Sequence, residues 1–330
     1  MQQQLNLPEK FIARIHALYS EQNARLILSS FTQEKKIVLR VNTLKTNAKT
    51  LAHQLQKAGI VSQALPWCSY ALVIQNTSTR ELTALAAYGE GLFYIQAGSS
   101  LLPPMLLNPK STDTVLDMAA SPGGKTARIC ALMNNKGSIV ANDSGSVRVY
   151  KLIDTLKLMG VTNTHIEHRD GRALWQTYPE KFDAVLLDAP CSMEARFSRE
   201  TRDALNWSVK KIKHLARLQK YLLRSALSCA RVGGTVVYST CTYAPEENEA
   251  VIQWALTKEK GKVELIRVIT PAISAVAGIT HWQDARYSPT LRNCIRILPS
   301  STSEGFFIAV LKKIASTVHG LRYQNTIISS

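Results

Sequence analysis

Two short blocks place reactive side chains at the ends of apolar runs. In "AVLLDAPCSM", residues 184–193, a hydrophobic stretch closes on Asp188, Pro190 and Cys191. In "VVYSTCTYAPEENE", residues 236–249, another closes on Thr240, Cys241 and Thr242. A thiolate is a strong nucleophile, and a carboxyl group beside it can hold or move a proton. If the two runs are neighbouring parallel strands, both thiols reach one edge of one sheet. A lone cysteine at a strand end is an inert small hydrophobe in most folds. Two of them, one after D-A-P and one inside S-T-C-T, call for a shared purpose. The other four, Cys68, Cys130, Cys229 and Cys294, keep the inert reading, and no pair has the C-x-x-C spacing of a zinc cage. No metal is expected.

A second constellation lies upstream. "VLDMAASPGGKTA", residues 115–127, reads as a strand, a tight turn and a helix start. Gly123 and Gly124 let a ligand approach the backbone, and Pro122 suits a first helical turn. Lys125 and Thr126 complete the end of a phosphate-binding loop, but that loop's first glycine would fall on Ala119. Asp143 closes the next strand, where a carboxylate can take both hydroxyls of a ribose. Asp170 closes the third, within reach of an adenine amino group. Asp117, the glycine turn, Asp143, Asp170 and Asp188 together describe a nucleoside ligand without phosphates. S-adenosyl-L-methionine fits, because its sulfonium cation tolerates acids that would repel a triphosphate. A methyl donor beside two thiols suggests methylation at carbon 5 of cytosine. A thiolate adds to carbon 6, carbon 5 becomes electron-rich enough to take the methyl group, and loss of the C5 proton expels the thiol. A carboxyl group near N3 would stabilise the adduct, and Lys125 or a helix terminus could lower the thiol pKa.

The elements that must position these groups alternate strand and helix from residue 114 onward, which implies a parallel sheet with helices on both faces. The central strands are nearly all apolar, as buried parallel strands are. "CIRILP" and "GFFIAVLKK" lie close together with no helix between them, so they are expected as an antiparallel hairpin at one edge. Upstream, residues 8–31 read as helical, 35–45 as a strand, 49–60 as a helix and "YALVIQ" as a strand. The spacing predicts a small N-terminal α/β unit over residues 1–97, a catalytic unit over 98–315 that opens on a Pro- and Ser-rich junction (98–113), and a loose tail over 316–330. No room is left for a further RNA-binding domain.

The bulk composition narrows the partner. The chain has 330 residues, 45% of them hydrophobic, and a net charge of +16. That surplus on a well-cored protein favours a polyanion such as RNA. The helix after Ser208 carries Lys210, Lys213, Arg217 and Arg224, which reads either as a solvated face or as part of an RNA surface. No apolar run is long enough for a membrane span, and no signal sequence opens the chain, so a cytoplasmic protein with free thiols is expected.

"VLDMAASPGGKT", "DAPCS", "YSTCTYAPEENE" and "RILPSSTSEGFFIAVLKK" resemble, in order and spacing, the signature blocks of the NSUN/Fmu family of RNA cytosine-C5 methyltransferases. "LRVNTLK" and "YIQAGSSLLPPMLL" resemble its pre-catalytic region. The resemblance covers roughly residues 35–312. It implies a Rossmann-like class I methyltransferase fold, a mostly parallel seven-stranded sheet, after a small N-terminal α/β domain. It implies Cys241 as nucleophile, Cys191 as the thiol that helps release product, Asp188 at the junction of base and cofactor, and Lys125 close to the reacting groups. The cofactor residues it leads us to expect are Ala119, Ala120, Ser121, Pro122, Gly123, Gly124, Lys125, Asp143, Arg148, Asp170 and Asp188. One stretch departs from the family: the glycine-rich turn after P-C-S is replaced by Met193-Glu194-Ala195-Arg196-Phe197. Three alternatives stay open. Cys191 could attack, as its Pro-Cys counterpart does in DNA cytosine methyltransferases. The chain could be an RNA-binding assembly factor with a vestigial cofactor pocket, or a P-loop nucleotidase. The expected substrate is ribosomal RNA in preference to transfer RNA, acted on by a monomer.

Overall fold

The computed structural model describes residues 7–197, 204 and 206–318. It opens with two helices, α1 (Glu9–Leu18) and α2 (Glu21–Ser29), where the sequence pattern suggested one. The break falls at Ser20, whose hydroxyl accepts from the Asn23 amide at 3.4 Å. Serine competes for the backbone in this way and so favours a cap over a helix interior. Strands β1 (Val38–Val41), β2 (Ser62–Leu65), β3 (Cys68–Ile74) and β4 (Phe93–Ile95) form an antiparallel sheet in the order β2-β3-β1-β4. Helix α3 (Ala48–Lys57) buries Leu51 and Leu55, and α4 (Thr79–Ala84) and α5 (Ala86–Gly89) lead into β4.

The Pro- and Ser-rich segment expected as a junction holds a buried helix, α6 (Leu102–Leu107). Pro103 and Pro104 occupy its first turn, where a missing N–H costs nothing, and Asn108 ends it in the left-handed conformation. Proline there marks a helix start rather than loose chain.

The larger sheet follows: β5 (Thr114–Asp117), α7 (Gly124–Leu132), β6 (Ser138–Asn142), α8 (Ser146–Leu158), β7 (Thr164–Glu167), α9 (Leu174–Thr177), β8 (Phe182–Asp188), α10 (Val209–Cys229), β9 (Ala230–Thr240) and α11 (Glu249–Lys258). Then come β10 (Val263–Ile266), β11 (Ala275–Ala277), a two-stranded ribbon of β12 (His281–Trp282) and β13 (Ala285–Arg286), β14 (Ile295–Ile297) and β15 (Phe306–Lys313). The order is β11-β14-β15-β9-β8-β5-β6-β7, with β10 also paired to β15. Strands β7 through β9 along this path are parallel, and every pairing of β15 is antiparallel. The sheet has nine strands instead of the seven expected. Two short strands share one side of β15, β14 along Phe306–Ile308 and β10 along Val310–Lys313, and β11 extends β14. The antiparallel hairpin of β14 and β15 forms, but β15 sits inside the sheet against β9 rather than at its edge.

Parallel register fixes the site. Asp117 lies opposite Leu186, and Asp188 lies opposite Ser239, so β5, β8 and β9 all end at one rim. Helix α6 packs beneath β8 and β9. Of the tail, residues 319–330 lie outside the described residues, but Thr317 is buried and donates to the Leu227 carbonyl at 3.1 Å.

Candidate active site

The glycine turn is built by close approach. Gly123 sits at φ +108, a left-handed backbone that glycine adopts freely. A Cβ on Gly124 would lie 2.6 Å from Cε1 of Tyr94, so the β4 tyrosine lies directly on the turn. Arg40 of β1 is almost wholly buried. It donates to the Gly124 carbonyl and, at 3.0 Å, to Gln96 Oε1. With desolvation dominant, its guanidinium titrates near 10. The N-terminal unit thus holds the turn from outside, which the sequence alone did not disclose.

Asp143 is buried, and its carboxylate is full. Oδ1 accepts from Gly145 N at 3.1 Å and Arg148 Nε at 2.9 Å; Oδ2 accepts from Ser121 N at 3.1 Å and Arg148 Nη2 at 3.0 Å. Arg148 is more than half exposed, so its fork can swing out and free two acceptor positions for ribose hydroxyls. Asp170 is paired with Arg172, which holds its carboxyl below the usual range. Asp117 is buried, accepts from Thr126 Oγ1 at 2.7 Å, and is pushed up to about 7 by burial. Its Oδ1 has no hydrogen-bond partner, an orphaned acceptor at the rim of the cleft.

At the neighbouring strand ends, Lys125 Nζ donates to Asp188 Oδ2 at 2.6 Å and Ser239 Oγ donates to Asp188 Oδ1 at 2.7 Å. The Cys191 and Cys241 sulfurs stand 3.4 Å apart, both thiols free and part-buried. Contact with the Cys241 sulfur, then burial, raises the Cys191 thiol well above its ordinary value.

Behind the sulfurs lies a polar cluster that sequence reasoning missed. Glu247 accepts from Ser192 N at 3.0 Å and from Gln219 Nε2 at 2.8 Å, and the same Gln219 amide donates to Pro190 O at 2.8 Å. Glu194 accepts from Thr242 Oγ1 at 2.8 Å, Tyr243 N at 2.9 Å and Trp207 Nε1 at 2.7 Å. The two carboxyls therefore cross-tie the cysteine loops: Glu247, which follows Cys241, holds the Cys191 loop, and Glu194, which follows Cys191, holds the Cys241 loop. Burial pushes Glu247 up to about 7 and raises Glu194 as well. In the sequence Glu247 is one acid of "PEENE", which reads as a helix start, and Glu194 stands only as part of the loop that departs from the family.

The departing loop keeps its turn without glycine. Met193 takes the left-handed conformation at φ +56, at a cost of about 1 kcal/mol for a residue with a Cβ. Ala195 N then donates to Cys241 O at 3.1 Å, so the two cysteine loops stay joined.

One cleft of about 700 Å³ gathers these groups. It is lined by Ala119, Ala120, Ser121, Pro122, Gly124, Lys125, Asp143, Arg148, Asp170, Asp188, Cys191 and Cys241. Of the residues expected to contact the cofactor, Gly123 alone does not line it; it supplies the turn. Among the described residues, five carboxyl groups line the cleft (Asp117, Asp143, Asp170, Asp188, Glu304) against three cations (Lys125, Arg148, Arg196). That balance opposes a triphosphate and suits a cationic nucleoside such as S-adenosyl-L-methionine, with Asp117, Asp143, Asp170 and the Gly124 backbone as its natural holders. No group of His, Cys, Asp or Glu among the described residues could hold a metal ion.

Comparison with known proteins agrees with this architecture. A family model described as 16S rRNA methyltransferase RsmB/F matches residues 104–312, and one for the N-terminal domain of 16S rRNA methyltransferase RsmF matches residues 7–98. The chain is 34% identical over 314 residues to the ribosomal RNA small subunit methyltransferase F of Vibrio campbellii, covering 94% of itself and 64% of that protein. It is 36% identical over 276 residues to the tRNA (cytosine(49)-C(5))-methyltransferase of Pyrococcus abyssi, covering 83% of itself and 87% of that protein. It thus spans just under two thirds of the length of the Vibrio relative. A crystal structure of a methyltransferase homolog protein from Pyrococcus horikoshii superposes with a TM-score of 0.79 at 33% identity, over 94% of this chain and 96% of that one. The sheet is that of a class I methyltransferase, preceded by its own α/β unit, and the chain belongs to the RsmB/F family of 16S rRNA methyltransferases.

Proposed function

We propose that the protein is an S-adenosyl-L-methionine-dependent RNA cytosine-C5 methyltransferase acting on ribosomal RNA. The observation that carries this is the pair of sulfurs 3.4 Å apart in the same cleft as the glycine turn and the Lys125–Asp188 pair. When bound, the cofactor supplies an electrophilic methyl group. The Cys241 thiolate forms a bond to cytosine C6, and the displaced electron pair moves through the ring toward N3. Asp188, its carboxylate held by Lys125 and Ser239, would stand beside that region and accept a hydrogen bond from the ring once N3 has taken up a proton from solvent. After C5 is methylated, its proton passes to water, the C5–H electron pair re-forms the C5=C6 double bond, and the C6–S bond breaks with its pair leaving on the Cys241 sulfur. Cys191, whose thiol the Cys241 contact and burial keep protonated, would give a proton to that departing sulfur and regain one from solvent.

A flipped-out base must enter the cleft, so the target cytosine lies in a loop or a remodelled helix. The net charge of +16 supports a polyanionic substrate. So do Lys213, Arg217 and Arg224, exposed on α10, whose Leu218 and Leu222 line the cleft. The N-terminal unit, residues 1–97, would help choose the RNA, and the enzyme would act in the cytoplasm as a monomer. No helix among the described residues is long and apolar enough to cross a membrane. Bisulfite sequencing of total RNA from cells with the gene, without it and with Cys241→Ala tests the proposal. A single ribosomal cytosine should lose its methyl group in the last two. Loss at a transfer RNA position instead would match the Pyrococcus abyssi relative, and an unchanged methylation map would overturn the activity.

A further inference from the structure

Two sulfurs in van der Waals contact raise a question of selection: what makes one of them the attacking thiolate? Among the described residues, each of the three cations lining the cleft has a carboxylate partner, Lys125 with Asp188, Arg148 with Asp143 and Arg196 with Glu304. The third, Arg196, comes from the loop that departs from the family's glycine-rich turn. Its backbone is clamped on both sides. Before it, Ala195 N donates to Cys241 O at 3.1 Å. After it, Phe197 is buried among Phe11 and Phe31, with ring centroids 5.2 and 6.1 Å away. The side chain is left at the wall of the cleft, where it lines the same space as Cys241, Cys191 and Asp188. Its Nε donates to Glu304 Oε2 at 2.9 Å.

We propose that Arg196 is a positioning residue that stabilises the Cys241 thiolate and so keeps Cys241, rather than Cys191, the attacking sulfur. The inference rests on Cys241 as the nucleophile and adds the reason for that choice. Electrostatics agrees. Burial works against the Arg196 charge, yet the Cys241 sulfur, then Glu304 and Asp188, hold it above the ordinary guanidinium range. Around Cys191 the balance is reversed: the Cys241 contact, burial and the Glu247 carboxyl all disfavour its thiolate. The other ionisable groups near Cys241 are Lys125 with Asp188, Glu304, Tyr243, and Glu194 and Glu247 behind the loops. Among the described residues of that set Lys125 is the one other cation, and its Nζ is held by Asp188. The proton released from Cys241 passes to solvent, and no redox partner is needed.

The test is peptide-resolved alkylation of Cys241 by iodoacetamide, a neutral probe, as a function of pH on the full chain under reducing conditions. Arg196→Gln and Arg196→Met should move the midpoint of Cys241 reactivity up by about one unit, which is a roughly tenfold slower reaction below both midpoints. Arg196→Lys should keep the midpoint close to the parent's, and Glu304→Gln should move it down. The buried Cys68, Cys130, Cys229 and Cys294 report on the fold: if they begin to react in one neutral variant, the other decides. Titration of Cys241 with the same midpoint in the parent and a folded neutral variant would overturn the proposal. So would an upward shift in Glu304→Gln. Failure of the nucleophile assignment shows separately, as an RNA adduct that survives Cys241→Ala.

Discussion

Glu247 shows what single residues in this fold do beyond their apparent type. Its carboxyl is wholly buried, it titrates near 7, and it holds the Cys191 loop through Ser192 and Gln219. Its ordinary value is 4.5, so between about 4.5 and 7 the folded protein keeps a proton that the unfolded chain has released. Stability from this group is therefore full below that window and is lost as pH rises through it. Glu247→Gln removes the loss. Relative to the parent, the variant should gain stability from pH 5 to pH 8, on the order of 3 kcal/mol at most. Urea unfolding at the two pH values measures it, and parallel curves for parent and variant would contradict the account. Carboxyls held low by arginine, such as Asp170, act at lower pH and cancel in the comparison. That Cys191, Cys241, Asp188 and Lys125 share one cleft was legible in the sequence, because three of them close apolar runs and Lys125 follows the glycine turn. Glu194 and Glu247 were not, because an acid becomes buried only when segments far apart in the chain close over it. For Asp143 the position was legible, but its engagement by Arg148 was not.

Among the elements, the turn between β5 and α7 is where the two sheets meet. The Tyr94 ring lies where a Gly124 side chain would go, so Gly124→Ala forces a rigid aromatic to move. That substitution should cost roughly 1–3 kcal/mol and weaken S-adenosyl-L-methionine binding in a calorimetric titration. Adding Tyr94→Ala should recover part of the stability, leaving a coupling on the order of 1 kcal/mol between the two sites. Strict additivity would show that the contact does not constrain the turn. The alternation of strands and helices was readable from β5 through α11, the four-residue α9 excepted, because buried parallel strands are apolar and their longer helices are amphipathic. Three features were not. The helix over residues 8–31 is split by the cap at Ser20, α6 hides behind its prolines, and β10 and β11 are too short for a period-2 pattern to stand out.

At the level of the whole molecule, the N-terminal sheet clamps the glycine turn through Arg40 and Tyr94, the aromatic cluster around Phe11 seats the Arg196 loop, and the register of β8 against β9 sets the sulfurs side by side. Such long-range packing is invisible in composition and spacing, which foretold the parts and not their closure on one cleft. The account depends on that closure assigning different work to two touching thiols. RNA carrying 5-fluorocytosine at the target position tests it, since fluorine blocks the loss of the C5 proton and leaves the attacking sulfur bound to C6. On a denaturing gel, Cys191→Ala should form the protein–RNA adduct and Cys241→Ala should form none. An adduct with Cys241→Ala, together with its absence in Cys191→Ala, would contradict the account.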